Sequence, residues 1–346
     1  MKQKESVIVG ISVGDLNGIG PEIIIKAYED PRSLELSTPV IFASGKTMQF
    51  FKNHFKSKIN FFNIDTLDKI AIGKVNVVNV WNEAVNIDFG KNDKTIGEYA
   101  IKSLVAATNA LKEGSIDVLV TAPINKQNIQ SDTFNFPGHT DYLAKALNGK
   151  SLMFMVSDAL RVGLLTDHVP LKDASSTITE SLIKEKIATV MKSLKQDFGI
   201  RKPKVAILAI NPHAGDNGVI GNEDDTVLKP ALEKIKSDGS LVYGPYSADS
   251  FFGSNTYKNF DAIIASYHDQ GLIPFKTIAF GQGVNYTAGL EKVRTSPDHG
   301  TAYEIAGKGI ADESSMKQAI YTAIQIFKQR EEYNHYSKNP LKKTSR

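Results

Sequence analysis

The stretch VIVGISVGDLNGIGPEIIIKAY, Val7–Tyr28, decides how the chain reads. It opens with an apolar, β-branched run of strand length, passes through a glycine-rich turn, and closes on a segment of helical composition. Pro21 stands where a missing N–H costs a helix nothing, and Glu22 complements the positive end of the helix dipole. This is one strand–turn–helix unit. The turn, Gly14 to Glu22, has the geometry that presents backbone N–H groups to an anion, and it reads equally well as a tight structural turn. It is neither a Walker loop nor a dinucleotide fingerprint, because the Lys-Ser/Thr pair and the required glycine order are both missing.

The same alternation continues outward. Strands are expected at Val7–Val13, Pro39–Ala43, Val75–Val80, Asp117–Thr121, Leu152–Val156, Arg161–Thr166, Lys204–Ile210, Asp261–Ser266 and Val284–Ala288. Helices are expected at Pro21–Tyr28, Ile96–Glu113, Thr140–Leu147, Ile178–Asp197, Asp225–Ser237 and Ser314–Gln329. Gly114, Gly149 and Gly239 stand where helices should stop. Short Val/Ile-rich runs alternating with helical segments are the signature of an α/β protein with a mostly parallel sheet. A chain of 346 residues exceeds the size at which one core usually splits in two, about 250–300 residues, so two lobes with a cleft between them are expected. No Pro-, Gly- or Ser-rich linker divides the chain, which predicts lobes that exchange strands.

Composition excludes several classes. The 41 basic and 38 acidic residues are interspersed, which leaves no stripe suited to a nucleic-acid backbone. The basic tail, Lys338 to Arg346, reads as a solvated terminus. With no cysteine, disulfides, thiolate metal sites and a cysteine nucleophile are all excluded, and any metal must sit on His, Asp or Glu. Met1 to Ser6 is polar and leads straight into the first strand; we expect neither a signal peptide nor a membrane anchor, and a cytoplasmic location.

Three of the seven histidines each follow a separate apolar strand. They are His168 in Asp167-His-Val-Pro170, His213 in Asn211-Pro-His-Ala-Gly215, and His268 in Tyr267-His-Asp-Gln-Gly271. In open α/β sheets the carboxyl ends of strands form the ligand-binding edge. A lone loop histidine is more often structural than a ligand, but three in equivalent positions suit a catalytic divalent metal with an open coordination position. Asp249 and Asp269 are nearby ligand or supporting candidates. Phe136-Pro-Gly-His-Thr-Asp141 puts His139 and Thr140 at a loop-to-helix junction, either as donors to a phosphate or carboxylate or with Thr140 simply capping the helix. Lys276, Asn285 and Arg294 follow His268, and a guanidinium and an ammonium in a cleft suit an anionic substrate.

Gly18-Ile-Gly-Pro-Glu22, Thr121-Ala-Pro-Ile-Asn-Lys126, Gly138-His-Thr140, Asn211-Pro-His-Ala-Gly215, Tyr267-His-Asp-Gln-Gly271 and Arg294-Thr-Ser-Pro-Asp-His-Gly-Thr-Ala302 occur in this order. From about residue 7 to about 329 the chain resembles the 4-hydroxythreonine-4-phosphate dehydrogenases of vitamin B6 biosynthesis. More widely, His299 to Ala311 is similar to the nucleotide loop of isocitrate and isopropylmalate dehydrogenases. The resemblance implies two α/β/α lobes sharing strands around a central cleft, and no Rossmann dinucleotide fold. One lobe would comprise residues 1–135 and 295–346 with the nucleotide loop; the other, 136–294, would carry the metal ligands and dimer interface.

It further implies that His168, His213 and His268 hold one divalent metal (zinc, cobalt, magnesium, manganese or nickel), with the site shared across a homodimer so that one ligand comes from the partner. Substrate contacts are implied for His139, Thr140, Lys276, Asn285 and Arg294, and NAD or NADP contacts for Asp298, His299, Gly300, Thr301 and Ala302. Asp15-Leu16-Asn17 and Asp141 depart from residues common in the family, which bears on fine substrate preference. The expected reaction is oxidation of the secondary alcohol of a small phosphorylated substrate, with Asp249, Asp269 and Lys276 as candidates for the proton acceptor. Rival readings are a sister dehydrogenase for a phosphorylated sugar acid such as 4-phosphoerythronate or 4-phosphothreonate, a three-histidine metal hydrolase, and a phosphosugar-binding protein without catalysis.

Overall fold

The computed structural model describes residues 6–132, 134–136 and 138–338. The basic tail after Lys338 and Pro137 of the 136–141 motif lie outside the described residues. The fold is α/β, and the chain divides into two compact units, residues 1–151 with 284–324 and residues 152–283 with 325–346.

The first unit begins with β1 (Val7–Ser12), α1 (Gly20–Ala27), α2 (Ser33–Leu36), β2 (Ser37–Ala43), α3 (Gly45–His54), β3 (Phe61–Ile64) and β4 (Val75–Asn79). It continues through α4 (Lys94–Glu113), β5 (Val118–Thr121) and α5 (His139–Ala146). The second unit contains β6 (Leu152–Val156), β7 (Arg161–Leu164), α6 (Leu171–Thr177), α7 (Glu180–Gln196), β8 (Val205–Leu208), α8 (Lys229–Ser237), β9 (Val242–Tyr246), α9 (Ala248–Gly253), β10 (Ala262–Ala265) and α10 (His268–Ile278). The chain then returns to the first unit with β11 (Val284–Ala288) and β12 (Val293–Pro297), and ends in α11 (Ser314–Ser337), inside which the division falls. Among the described residues no helix is long and apolar enough to cross a membrane.

In the first unit the strands lie in the order β3-β4-β2-β1-β5-β12-β11. All neighbours are parallel except β11 and β12. In the second the order is β6-β7-β10-β8-β9, with only β6 and β7 antiparallel. Central parallel strands are covered on both faces, which is why β2, β5, β8 and β10 are wholly buried and carry apolar runs, Val40–Ala43, Val118–Val120, Val205–Leu208 and Ala262–Ala265.

Helix α4 shows how local sequence sets an element. Asp93 accepts the Thr95 N–H at 2.8 Å to cap its start, Gly114 ends it in the left-handed region at φ 80°, and Ile96, Ala100, Leu104, Ala107 and Leu111 form its buried stripe. Helix α7 repeats the logic with a Thr179 cap and buried Ile183, Ile187, Val190 and Leu194. Burial of each such side chain contributes about 1.5–3 kcal/mol.

Three strands, β3, β9 and β12, and five helices, α2, α3, α6, α9 and α10, go beyond the sequence expectation. Strand β3 is a half-exposed edge, β9 is an edge strand carrying Pro245, and β12 has buried Arg294, Thr295 and Ser296 where an apolar run would be sought. Helices α3 and α9 are short, and α10 contains Pro274. The expected helix at 178–197 begins only after Thr179, because α6 precedes it as a separate turn. Near Gly149 the left-handed residue is Asn148, at φ 50°.

Candidate active site

In the first unit the ends of β5, β11 and β12 build a polar cluster around Arg294, whose side chain is 1% exposed. Register sets Arg294 on β12 across from Thr287 on β11, and Asn285, two residues away, shares that face. The guanidinium Nη1 donates to Thr287 Oγ1 at 3.0 Å, while Nε donates to Thr121 Oγ1 at 3.2 Å and Nη2 to the same oxygen. No carboxylate lies within ion-pair distance of it among the described residues, and burial alone draws its pKa down to about 9. The guanidinium is thus a buried cation whose described partners are neutral hydroxyls, the charge state that burial disfavours most.

His139, the first residue of α5, points into the same field. Its Nε2 is sealed from solvent and has no hydrogen-bond partner among the described residues. Burial first, then the charges of Arg294 and Lys126, hold its pKa well below the usual imidazole value, so the ring is neutral. Asn285 Oδ1 is likewise sealed and unpartnered. Thr140 stands within the first turn of α5, whose cap residue is Gly138 with no side-chain bond, so Thr140 is not the cap. Thr121 and Thr287, the two hydroxyl anchors, escape sequence reading because each looks like any threonine in a buried strand.

Four amides of the glycine-rich turn are committed to protein partners: Asp15 N to Pro123 O, Gly18 N to Asp15 O, Ile19 N to Thr301 O, and Asn17 N to Asp15 Oδ1. At Gly14, with φ 70°, a Cβ would stand 2.2 Å from Pro123 O. The turn is a seat for the loop after β12, residues 298–311. Buried Glu22 accepts the Ala311 N–H at 2.8 Å and pairs with Lys26, which donates to Gly309 O and Ala311 O. His54 Nε2 meets Gly307 O at 2.7 Å. Of the expected nucleotide contacts, Thr301 supports Ile19, Asp298 N bonds Ser315 Oγ, and Ala302 is left-handed at φ 46°. His299 keeps a sealed, unpartnered Nε2, while Gly300 is exposed.

In the second unit β7 and β10 run parallel, and their pairing extends past the strands: Leu165 N bonds Ala265 O, and Thr166 bonds Ser266 O through both N–H and Oγ1. The residues that follow each end are therefore brought together, and the rings of His168 and His268 have centroids 6.1 Å apart. Asp269 Oδ1 lies 2.7 Å from His268 Nδ1, leaving Nε2 for a ligand. Gln270 ties the end of β10 to that of β8, accepting from Ser266 N and donating to Ala209 O.

His213 follows β8 in an exposed turn anchored from below by buried Asp224, which accepts from Ile210 N, Asn211 N and Asn211 Nδ2. Residues 213–218 all have φ between 44° and 89°, a run in which His213, Ala214, Asp216 and Asn217 are non-glycine. His213 lies within electrostatic reach of Asp249, whose pKa is lowered mainly by the Ser247 hydroxyl, at 2.7 Å, and also by that imidazole. Lys276 is exposed in the last turn of α10. Among the described residues no group of three or more His, Asp or Glu side chains is gathered closely enough to hold a metal ion. The structure thus joins two of the three histidines and sets the third beside Asp249.

The chain matches the family model described as pyridoxal phosphate biosynthetic protein PdxA over residues 35–323. It is 47% identical over 343 residues to the 4-hydroxythreonine-4-phosphate dehydrogenase of Bacteroides thetaiotaomicron, covering 99% of this chain and 94% of that one. With the same-named protein of Sulfurihydrogenibium sp. it shares 40% identity over 321 residues, 92% of this chain and 98% of the other. The crystal structure of 4-hydroxythreonine-4-phosphate dehydrogenase from Klebsiella pneumoniae matches with a TM-score of 0.81 at 30% identity, across 94% of this chain and 99% of that one.

Proposed function

Because the chain belongs to the pyridoxal phosphate biosynthetic protein PdxA family, oxidoreductases of vitamin B6 biosynthesis, we propose that it oxidises 4-phosphooxy-L-threonine with NAD or NADP as hydride acceptor. The observation that carries this reading is the buried Arg294 guanidinium, without a carboxylate partner among the described residues, within electrostatic reach of His139, whose Nε2 is sealed and unpartnered. Together with Thr140 and Asn285 these residues would hold the substrate phosphate. Neutral His139 can donate one hydrogen bond to it, and Arg294 supplies the charge.

His168, His213 and His268 would hold a divalent cation, one of the three reaching it from a second copy of this chain in a homodimer. Imidazole is chemically suited to such an ion, and His168 and His268 lie with ring centroids 6.1 Å apart; no third donor is gathered with them among the described residues, so a ligand from a second copy would have to complete the site. Asp269 would fix the His268 ring and tautomer. When bound, a divalent cation lowers the pKa of an alcohol that touches it.

Asp249 is held as a carboxylate by Ser247 and so is a weak proton acceptor, and Asp269 is occupied by His268. Lys276 is the remaining candidate for removing the hydroxyl proton as the C–H hydride passes to the nicotinamide. The resulting 3-oxo acid loses its carboxylate as CO2, the bonding electrons pass into the adjacent carbonyl as an enolate, and protonation gives 3-amino-2-oxopropyl phosphate. Residues 298–302 would hold the nucleotide.

The test is absorbance of reduced nicotinamide in the presence of the substrate, NAD and divalent metal. A rise is expected with 4-phosphooxy-L-threonine, and its loss in folded His213→Ala is expected as well. A rise only with 4-phosphoerythronate or 4-phosphothreonate would move the assignment to a sugar-acid dehydrogenase. No reduction with any of the three would overturn the reading.

A further inference from the structure

We propose that Tyr303 is a positioning residue whose hydroxyl pins the loop at 298–302 and the turn at 125–128 to one buried acid, Asp15, so that nucleotide and anion binding depend on the same contact. The proposal rests on the nucleotide reading of that loop and deepens it.

Tyr303 Oη donates to Asp15 Oδ2 at 2.7 Å and accepts from Asn128 Nδ2 at 3.1 Å. Asn128 Nδ2 also approaches Asp15 Oδ2 at 3.4 Å, and the Asn125 side chain bonds to Tyr303 as well. Asp15 is 1% exposed and has no ion-pair partner among the described residues; neutral donors stabilise it, namely Tyr303, Asn128 and the backbone N–H groups of Asn17, at 2.9 Å, and Gly18. On one side of this node, Thr301 and Ala302 precede Tyr303 in the loop, where Thr301 O receives the Ile19 N–H. On the other, Asn125 Oδ1 closes its turn by accepting from Gln127 N and Asn128 N. Lys126, inside that turn, contributes to the field on His139. One hydroxyl therefore holds two functional segments to a common point.

Removing the hydroxyl takes the shortest donor from a buried carboxylate. Asp15 must then either bind a proton or draw water and the loop out of place. The charge, not only the packing, should decide the outcome.

Wild type, Tyr303→Phe, Asp15→Asn and the double variant would be titrated with ADP-ribose and with inorganic phosphate by calorimetry across neutral pH, with circular dichroism confirming the fold. Tyr303→Phe should bind ADP-ribose about tenfold more weakly, losing affinity further as pH rises and Asp15 ionises, and should bind phosphate several-fold more weakly. In the double variant the pH dependence should vanish and affinity should recover, because a neutral amide does not need the lost donor. A folded Tyr303→Phe with both affinities within about twofold of wild type at every pH overturns the pin alone. A wild type that takes up phosphate but neither ADP-ribose nor NAD overturns the nucleotide reading beneath it.

Discussion

Replacing Arg294 with methionine should remove the anion site without weakening the fold. The fall of its pKa from the ordinary guanidinium value to about 9 corresponds to roughly 5 kcal/mol against the charged form. Below about pH 9 both the folded and unfolded chains carry the proton, so this cost is fully present at neutral pH and is relieved only as pH rises above 9 toward the ordinary guanidinium range. Hydrogen bonds to Thr121 and Thr287 offset part of it. Exchange of a buried ion for an apolar side chain of similar volume is typically neutral or stabilising by about 1–4 kcal/mol.

Arg330 provides the control within the same chain. It is also buried, at 7% exposure, but its Nε lies 2.6 Å from buried Asp197, which in turn accepts from Ser193 Oγ. Arg330→Met should cost about 3–5 kcal/mol, because it leaves that carboxylate buried without its cation. Calorimetric unfolding with and without inorganic phosphate separates the two. Wild type and Arg330→Met should gain about 2.7 kcal/mol at a phosphate concentration of 100 times Kd, and Arg294→Met should gain nothing. If Arg294→Met is destabilised as severely as Arg330→Met, or still gains from phosphate, the guanidinium is structural and the anion assignment fails.

Three further outcomes follow from the geometry. Asp269→Asn should lower zinc affinity about 10–100-fold in a competition titration, since it withdraws the carboxylate that orients the His268 ring; unchanged affinity would mean that His268 is not a ligand held this way. Ala214→Gly should raise the unfolding free energy in a denaturant titration by about 0.5–1 kcal/mol, the left-handed penalty of alanine at φ 53° less the backbone entropy of glycine; a loss of stability would show that the left-handed run at 213–218 carries no strain. Burial and the neighbouring cations depress the folded-state pKa of His139, so below the unfolded value of about 6.5 the unfolded chain binds a proton that the folded site refuses. The stability this residue confers is complete above that pH and is lost below it. His139→Gln should accordingly flatten the acid side of the stability profile measured without anions, and an unaltered profile would show that the imidazole already titrates normally.

What sequence pattern could reveal was decided by where each residue finds its partner. Strands β1, β2, β5, β8 and β10 were legible because burial on both faces gives each a short run dominated by apolar residues, and the histidines after β7, β8 and β10 were legible because they follow strand ends. Strand β12 escaped because Val293-Arg-Thr-Ser-Pro297, with a buried arginine bonded to hydroxyls, has no apolar period to detect. The Gly14–Glu22 turn read correctly as a strand-to-helix connection, yet four of its amides are spent on protein partners, one of them at Thr301, and no local pattern announces a contact between residues 15 and 303. The same limit applies to the two arginines. Arg294 and Arg330 are both buried, and only the fold, by giving a carboxylate to one and hydroxyls to the other, separates an arginine paired within the structure from the one proposed here to take an anion.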